Sequence, residues 1–242
     1  MSEGRRRFLA FLGMGALASA GAAAGAAKSR RPTAMSDWTP EQFLRWSETM
    51  RRNAGDLASR TSIEILALVE KCSAIEDGSG VTQKEHCLQT ATRALRDGAD
   101  EELIVAALLH DAGKIYDGTN HGAIAAEILR PHVSRETYQV IRNHTTFEAR
   151  FYGAHLGPVE APDRSCVPPV YACIDPTAYR NMERESWYPL AMRFTGEWDQ
   201  RSFDPEYDTL PLAYFEPMVR RVFGRRSLAL AAPAKASQTP GR

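Results

Sequence analysis

Cysteine is scarce. Cys72, Cys87, Cys166 and Cys173 are the only four, and no two form a CxxC pair, which argues against a zinc ribbon or a thioredoxin-type site. No sign of charge dominates either: 30 basic and 30 acidic residues cancel, and no basic run marks a nucleic-acid surface. Beyond the N-terminal stretch no apolar run nears the ~20 residues a membrane helix needs. Internal repeats are absent, and so is the strict apolar–polar alternation of half-buried strands.

What is present is enough apolar sequence, 43% of 242 residues, for one globular domain with a sizeable core. Residues 1–35 stand apart as a signal and linker. Arg5-Arg6-Arg7-Phe8-Leu9 resembles a twin-arginine export signal, and Ala22-Ala23-Ala24 and Ala24-Gly25-Ala26 are small-x-small cleavage candidates. The expected location is therefore the periplasm. The alternative is that Met35 is the true start and the protein is cytoplasmic. Residues 36–226 form the domain, and the Ala/Pro/Ser-rich residues 227–242 read as a disordered tail.

The domain pattern is helical. Helices are expected at 40–54 and 60–75, then from Val81 with Thr82 as N-cap and Glu85 at the capping-box spacing, ending at Gly98. A fourth runs from Glu101 to Asp111, with acidic residues in its first turn where the macrodipole favours them. Others follow at about 121–130, 134–152, 186–203 and 212–223. Residues 157–185, rich in proline and turn formers, are expected to be a long ordered loop. The fold class is all-α.

The stretch AALLHDAGK, residues 106–114, carries the chemistry. An apolar run delivers His110 and Asp111 side by side, followed by Gly113 and Lys114. Alone, such a pair is more often structural than functional. It gains meaning from what accompanies it: His86, His121 and His144, each in or at the end of a helix, and Asp199 late in the chain. His132 and His155 are assigned surface or structural roles.

The order His86, His110-Asp111, His121, His144, Asp199 resembles the HD superfamily of metal-dependent proteins, in its dinuclear form, over about residues 80–220. The resemblance implies a single helical bundle around a two-metal site. In it Asp111 bridges the ions and the other five residues divide between them. Asp111 to His121 is a short step for two ligands of one centre. A nitrogen-rich donor set suits iron, with manganese or zinc as alternatives, over magnesium and calcium. Two carboxylates against two such ions leave the site positive, which favours an anionic or strongly oxygen-donating small molecule.

Two stretches resemble the mixed-valent diiron oxygenase branch, which includes myo-inositol oxygenase and a phosphonate-degrading oxygenase. They are VTQKEHCLQTATRA (81–94) and WDQRSFDPEYDTLPLAYFEP (198–217). This implies O2 as co-substrate and cleavage of a C–H bond in a small polar, anionic or polyhydroxylated substrate. The first alternative is hydrolysis of a phosphate ester by a metal-bound hydroxide. A non-catalytic metal- or ligand-binding protein is the second. Lys114, four after His110, is a candidate catalytic and substrate-binding residue under either chemistry.

The chain departs from the phosphonate oxygenases at three positions. Glu76 and Ser79 stand where those have a gating Tyr and Glu, and Glu148 stands where they have a Lys. That implies a different substrate, with Arg150 the nearest cation for an anionic group. Gln83 and Trp198 are expected to support the ligands from behind. Phe147, Phe151 and Tyr152 are core candidates, Arg193 an ion-pair candidate, and Cys87 an inert filler.

Overall fold

A computed structural model describes residues 33–152 and 176–231. It divides the chain into two units, residues 1–44 and 45–242. In the first, a 3-10 turn at Met35–Asp37 precedes a helix start capped by Thr39. The Thr39 N–H donates to Gln42 Oε1, and the Gln42 N–H donates back to the Thr39 hydroxyl. The twin-arginine pattern, the small-x-small sites, His155, Cys166 and Cys173 lie outside the described residues.

The described residues hold nine α-helices and no strand; Glu76 and Thr82 make one isolated antiparallel bridge. The all-α expectation is met. The helices are α1 Pro40–Arg52, α2 Ala54–Lys71, α3 Gln83–Arg96, α4 Glu101–Leu109, α5 His121–Leu129, α6 Arg135–Tyr152, α7 Pro176–Met182, α8 Tyr188–Arg193 and α9 Leu212–Ala231.

Helix α4 is the axis of the second unit. Every residue from Leu103 to Leu109 is buried, so it is apolar on all sides and shows no amphipathic stripe. Burying Leu108 and Leu109 stabilises the fold by roughly 1.5–3 kcal/mol each. Helices α3, α6 and α9 pack around it, α9 lies along α2, and α5 packs on α6. Phe147 belongs to the core these helices share.

The start of α3 follows its sequence signal. Thr82 Oγ1 accepts from the Glu85 N–H at 3.2 Å, and Glu85 Oε2 accepts from the Thr82 N–H at 2.7 Å. Thr82→Ala should cost about 1 kcal/mol, the usual worth of an N-cap, read from the urea midpoint at unchanged slope. Likewise Asp100 Oδ1 caps α4 through the Leu103 N–H.

Several boundaries differ from the sequence pattern. Helix α2 begins at Ala54, not 60, and α9 runs to Ala231, past the boundary drawn at 226. Part of the expected 157–185 loop is helical, as α7. The expected continuous helix over 186–203 is broken into three pieces. After α8 come a wide π-helical turn, Phe194–Trp198, and a 3-10 turn, Asp199–Arg201. Two side chains take up carbonyls there: Gln200 Nε2 donates to Gly196 O and Ser202 Oγ to Trp198 O. The Phe151 ring lies against Gly196, leaving little room for a side chain, since a Cβ would stand 3.1 Å from it. Such insertions often mark functional segments, and here the distortion sits directly before Asp199.

Candidate metal centre

Helix α4 ends at Leu109, so His110 and Asp111 occupy the turn beyond it, before a 3-10 turn at Ala112–Ile115. They are anchored by a buried apolar cylinder yet freed from the helical ladder. The expected helix to Asp111 is thus two residues short, and the difference lets both side chains face one cavity.

All four candidate histidines hold Nδ1 against a backbone carbonyl: His86 on Ser202 O (2.9 Å), His110 on Ala107 O (2.8 Å), His121 on Gly118 O (2.8 Å) and His144 on Ile141 O (2.7 Å). A carbonyl only accepts, so each Nδ1 carries the proton and each Nε2 is left to point inward. For three of them the carbonyl is three residues back, which locks the ring to its own helix end or turn. His86 instead ties α3 to the Asp199 segment, and Phe203 stacks on its ring at 4.4 Å.

The Nε2 atoms converge in two pairs, His86 with His110 at 3.1 Å and His121 with His144 at 3.2 Å. Asp111 lies between the pairs. Its Oδ1 is 2.9 Å from His121 Nε2 and 3.3 Å from His144 Nε2; its Oδ2 is 3.3 Å from His86 Nε2 and 3.5 Å from His110 Nε2. Asp199 Oδ1 sits 3.2 Å from His86 Nε2 and 3.4 Å from His110 Nε2. All six side chains are buried.

Neutral imidazole lone pairs and carboxylate oxygens packed this closely repel one another unless a cation lies between them. Two observations fit a metal. Among the described residues no hydrogen-bond donor meets either buried Asp199 oxygen. The donors also form overlapping groups whose ligand atoms lie within 4.8 Å of one another: His86–His110–Asp111, His110–His144–Asp199 and Asp111–His121–His144. The His/Asp cluster could hold metal.

Protons answer the same demand in the metal-free chain. Burial pushes His86 down, but the Asp111 and Asp199 carboxylates override it and raise the imidazole to about 10. Burial lowers its neighbour His110, against the pull of the two carboxylates. One proton therefore serves the pair, and His86 holds it. Burial also works to raise Asp111 and Asp199. The histidines beside both, and Lys114 beside Asp111, hold them well below the usual carboxylate range.

Around the six, Gln83 and Lys114 both engage Asp111. Gln83 Nε2 and Lys114 Nζ each donate to Oδ2 at 2.7 Å, and Lys114 also donates to Gln83 Oε1 at 2.9 Å. The Trp198 indole is buried beside Asp199 and donates to Asp97 Oδ2 at 2.9 Å, which ties the π-helical turn to the end of α3. Arg193 pairs with the same Asp97 at 2.8 Å and so faces away from the cluster. The Arg150 and Tyr152 side chains lie outside the described residues. Half-buried His132 packs against the Phe223 ring. Burial, before any neighbouring charge, pushes the Cys87 thiol well up, consistent with inert packing.

Two glycines escaped the sequence reading. A Cβ on Gly113 would stand 2.8 Å from the Cα of His121, and one on Gly122 would stand 3.0 Å from Cε1 of His144. Gly113 is what lets the short step from Asp111 close: the 3-10 turn comes back directly against the start of α5. Its only signal was its place in HDAGK. Gly113→Ala should destabilise by ~1–3 kcal/mol, as overpacking does. It should also weaken metal retention, because the backbone it would push carries His121. Wild-type melting and metal content in that variant would count against this packing role.

A family model described as HD domain matches residues 84–172. The matched span contains His86, His110, Asp111, His121 and His144, and stops before Asp199. No curated protein matches the chain. Over those residues the chain is similar to the HD domain, whose members include metal-dependent hydrolases and oxygenases.

Proposed function

We propose that this chain is a two-metal enzyme of the diiron oxygenase kind, activating O2 to cleave a C–H bond of a small substrate. The observation that carries the reading is the donor set: four inward Nε2 atoms in two pairs, with Asp111 presenting one oxygen to each. His86, His110 and Asp199 would hold one ion, His121 and His144 the other, with Asp111 shared. Four imidazoles and two carboxylates favour iron, manganese or zinc over magnesium. Iron, when bound, supplies the one-electron chemistry that O2 activation needs.

The chain's own residues do the rest. The four carbonyls fix the rings, and Gln83 orients Asp111. Lys114, with 26% of its side chain exposed, brings an ammonium to the rim. The shell of Phe194 and Phe203 keeps water from His110 and His86. The apolar shell and the nitrogen-rich set support oxygenation. The Lys114 ammonium, suited to a phosphoryl oxygen, supports the second reading, hydrolysis of a phosphate ester.

The test is metal analysis of protein purified without added metal and without oxygen, then low-temperature electron paramagnetic resonance after partial oxidation. Two irons per chain with a coupled mixed-valent signal are expected. Two manganese or zinc ions and no such signal would transfer the argument to hydrolysis.

A further inference from the structure

A cleft of about 470 Å³ opens at the C-terminal end of α3, and none of the six candidate metal donors lines it. Three arginines do, Arg93, Arg96 and Arg193, with the carboxylates of Asp97 and Glu197 and the rings of Trp198 and Tyr207. Most of these charges are already paired. Arg193 meets Asp97 at 2.8 Å, and Asp97 also accepts from the Trp198 indole. Glu197 meets Arg201 at 3.3 Å, and Arg96 meets Asp208 at 2.7 Å.

Arg93 is the exception. Among the described residues no carboxylate pairs with its guanidinium, and its buried Nε meets no acceptor. It rests instead on the Tyr207 ring, with Cζ 3.9 Å from the centroid. Arg96 is three residues further along α3, on the same face, and reaches over the same ring at 5.2 Å. Two guanidinia therefore share one aromatic platform. A guanidinium laid over a ring keeps its N–H groups at the edge, where they can donate sideways. The one counter-ion present, Asp208, is 92% exposed, so its pair with Arg96 is weak and readily exchanged.

We propose that this cleft is a binding site for a small phosphate-bearing anion, held by Arg93 and Arg96 and separate from the metal centre. A carboxylate has two oxygens and fills one guanidinium fork. A phosphate group is tetrahedral and carries close to two charges at neutral pH, so it can offer oxygens to both forks at once. The negative end of α3 opposes an anion, but that effect falls off within the last turn. Glu197 and Asp208 oppose it too, yet both are well exposed and screened by solvent and salt. The inference does not depend on the two-metal reading.

The test is calorimetric titration of the full chain with inorganic phosphate, glycerol 3-phosphate and acetate. The metal-loaded chain is titrated first and the chelated chain second, with metal content and melting recorded for each. One site per chain for the phosphate probes should survive chelation, with acetate at least ~10-fold weaker because it fills a single fork. Arg93→Gln should weaken that site at least ~10-fold, and Arg93→Lys, which keeps the charge and loses the fork, by ~3–5-fold. Metal content should stay at the wild-type level in both. Arg96 is exposed, so Arg96→Gln carries the test even if the Arg93 variants melt early, and a loss of at least ~5-fold is expected. Tighter binding of glycerol 3-phosphate would identify a phosphomonoester as the ligand, and tighter binding of inorganic phosphate the free ion; both outcomes support the site. Phosphate binding that disappears on chelation and ignores Arg96→Gln belongs to the metal centre and overturns the assignment. Acetate binding as tightly as phosphate, or a wild-type chain that binds neither phosphate probe, overturns it as well.

Discussion

Asp111→Ala is expected to leave the chain folded and unable to keep either ion, whereas Asp199→Ala should lose one and keep the other. The reason is geometric. Asp111 presents Oδ2 to the His86–His110 pair and Oδ1 to the His121–His144 pair, while Asp199 stands near His86 and His110 and, among the described residues, has no donor of its own. Deleting a group that merely supports a ligand already costs ~10–100-fold in metal affinity. Deleting the shared ligand removes a charge from both positions and leaves Lys114 without its carboxylate, so a loss beyond ~100-fold at both is expected. Metal per chain after desalting, with circular dichroism as the folding control, is the measurement. Two ions retained by Asp111→Ala would break the assignment of the centre.

Chelation should lower the melting temperature by at least ~15 °C. Each ion at a thousandfold its dissociation constant stabilises the folded chain by ~4 kcal/mol, so two give ~8. A domain of this size shifts by ~2–4 °C per kcal/mol, which places the drop between ~16 and ~32 °C. The metal-free state is held partly by the His86 proton, and its sign can be worked out. His86 is raised to about 10 in the folded chain against 6.5 for the free side chain. That contribution is fully present below 6.5 and is lost as pH rises through about 10. The chelated chain should therefore melt lower at pH 9 than at pH 6.5. The metal-loaded chain should not follow, because an ion replaces the proton. Parallel pH profiles for the two forms would show that no ion occupies the His86 position.

The four histidines and two aspartates could be picked out from their types, their order and their helical settings, because ligand chemistry is a property of side chains and spacing. The all-α class was equally visible, since helix caps such as Thr82 and Asp100 and the lack of strand alternation are local signals. What the sequence could not decide is everything that depends on two distant segments meeting. The 186–203 pattern reads as one helix because nothing local announces that Phe151 will press on Gly196 and that Gln200 and Ser202 will take up the carbonyls of a widened turn. The pairing of His86 with Ser202 O spans more than a hundred residues and fixes which ring nitrogen faces the centre. Glu148 could be noted in sequence only as a departure from a resembling family; that its carboxylate stands beside His144 Nε2 is a fact of helix register and packing. Residue chemistry alone determined that this chain has the groups to bind metal. Tertiary packing decided which atoms face one another, because tautomer, bridging and access are set by distances between elements and not along the chain.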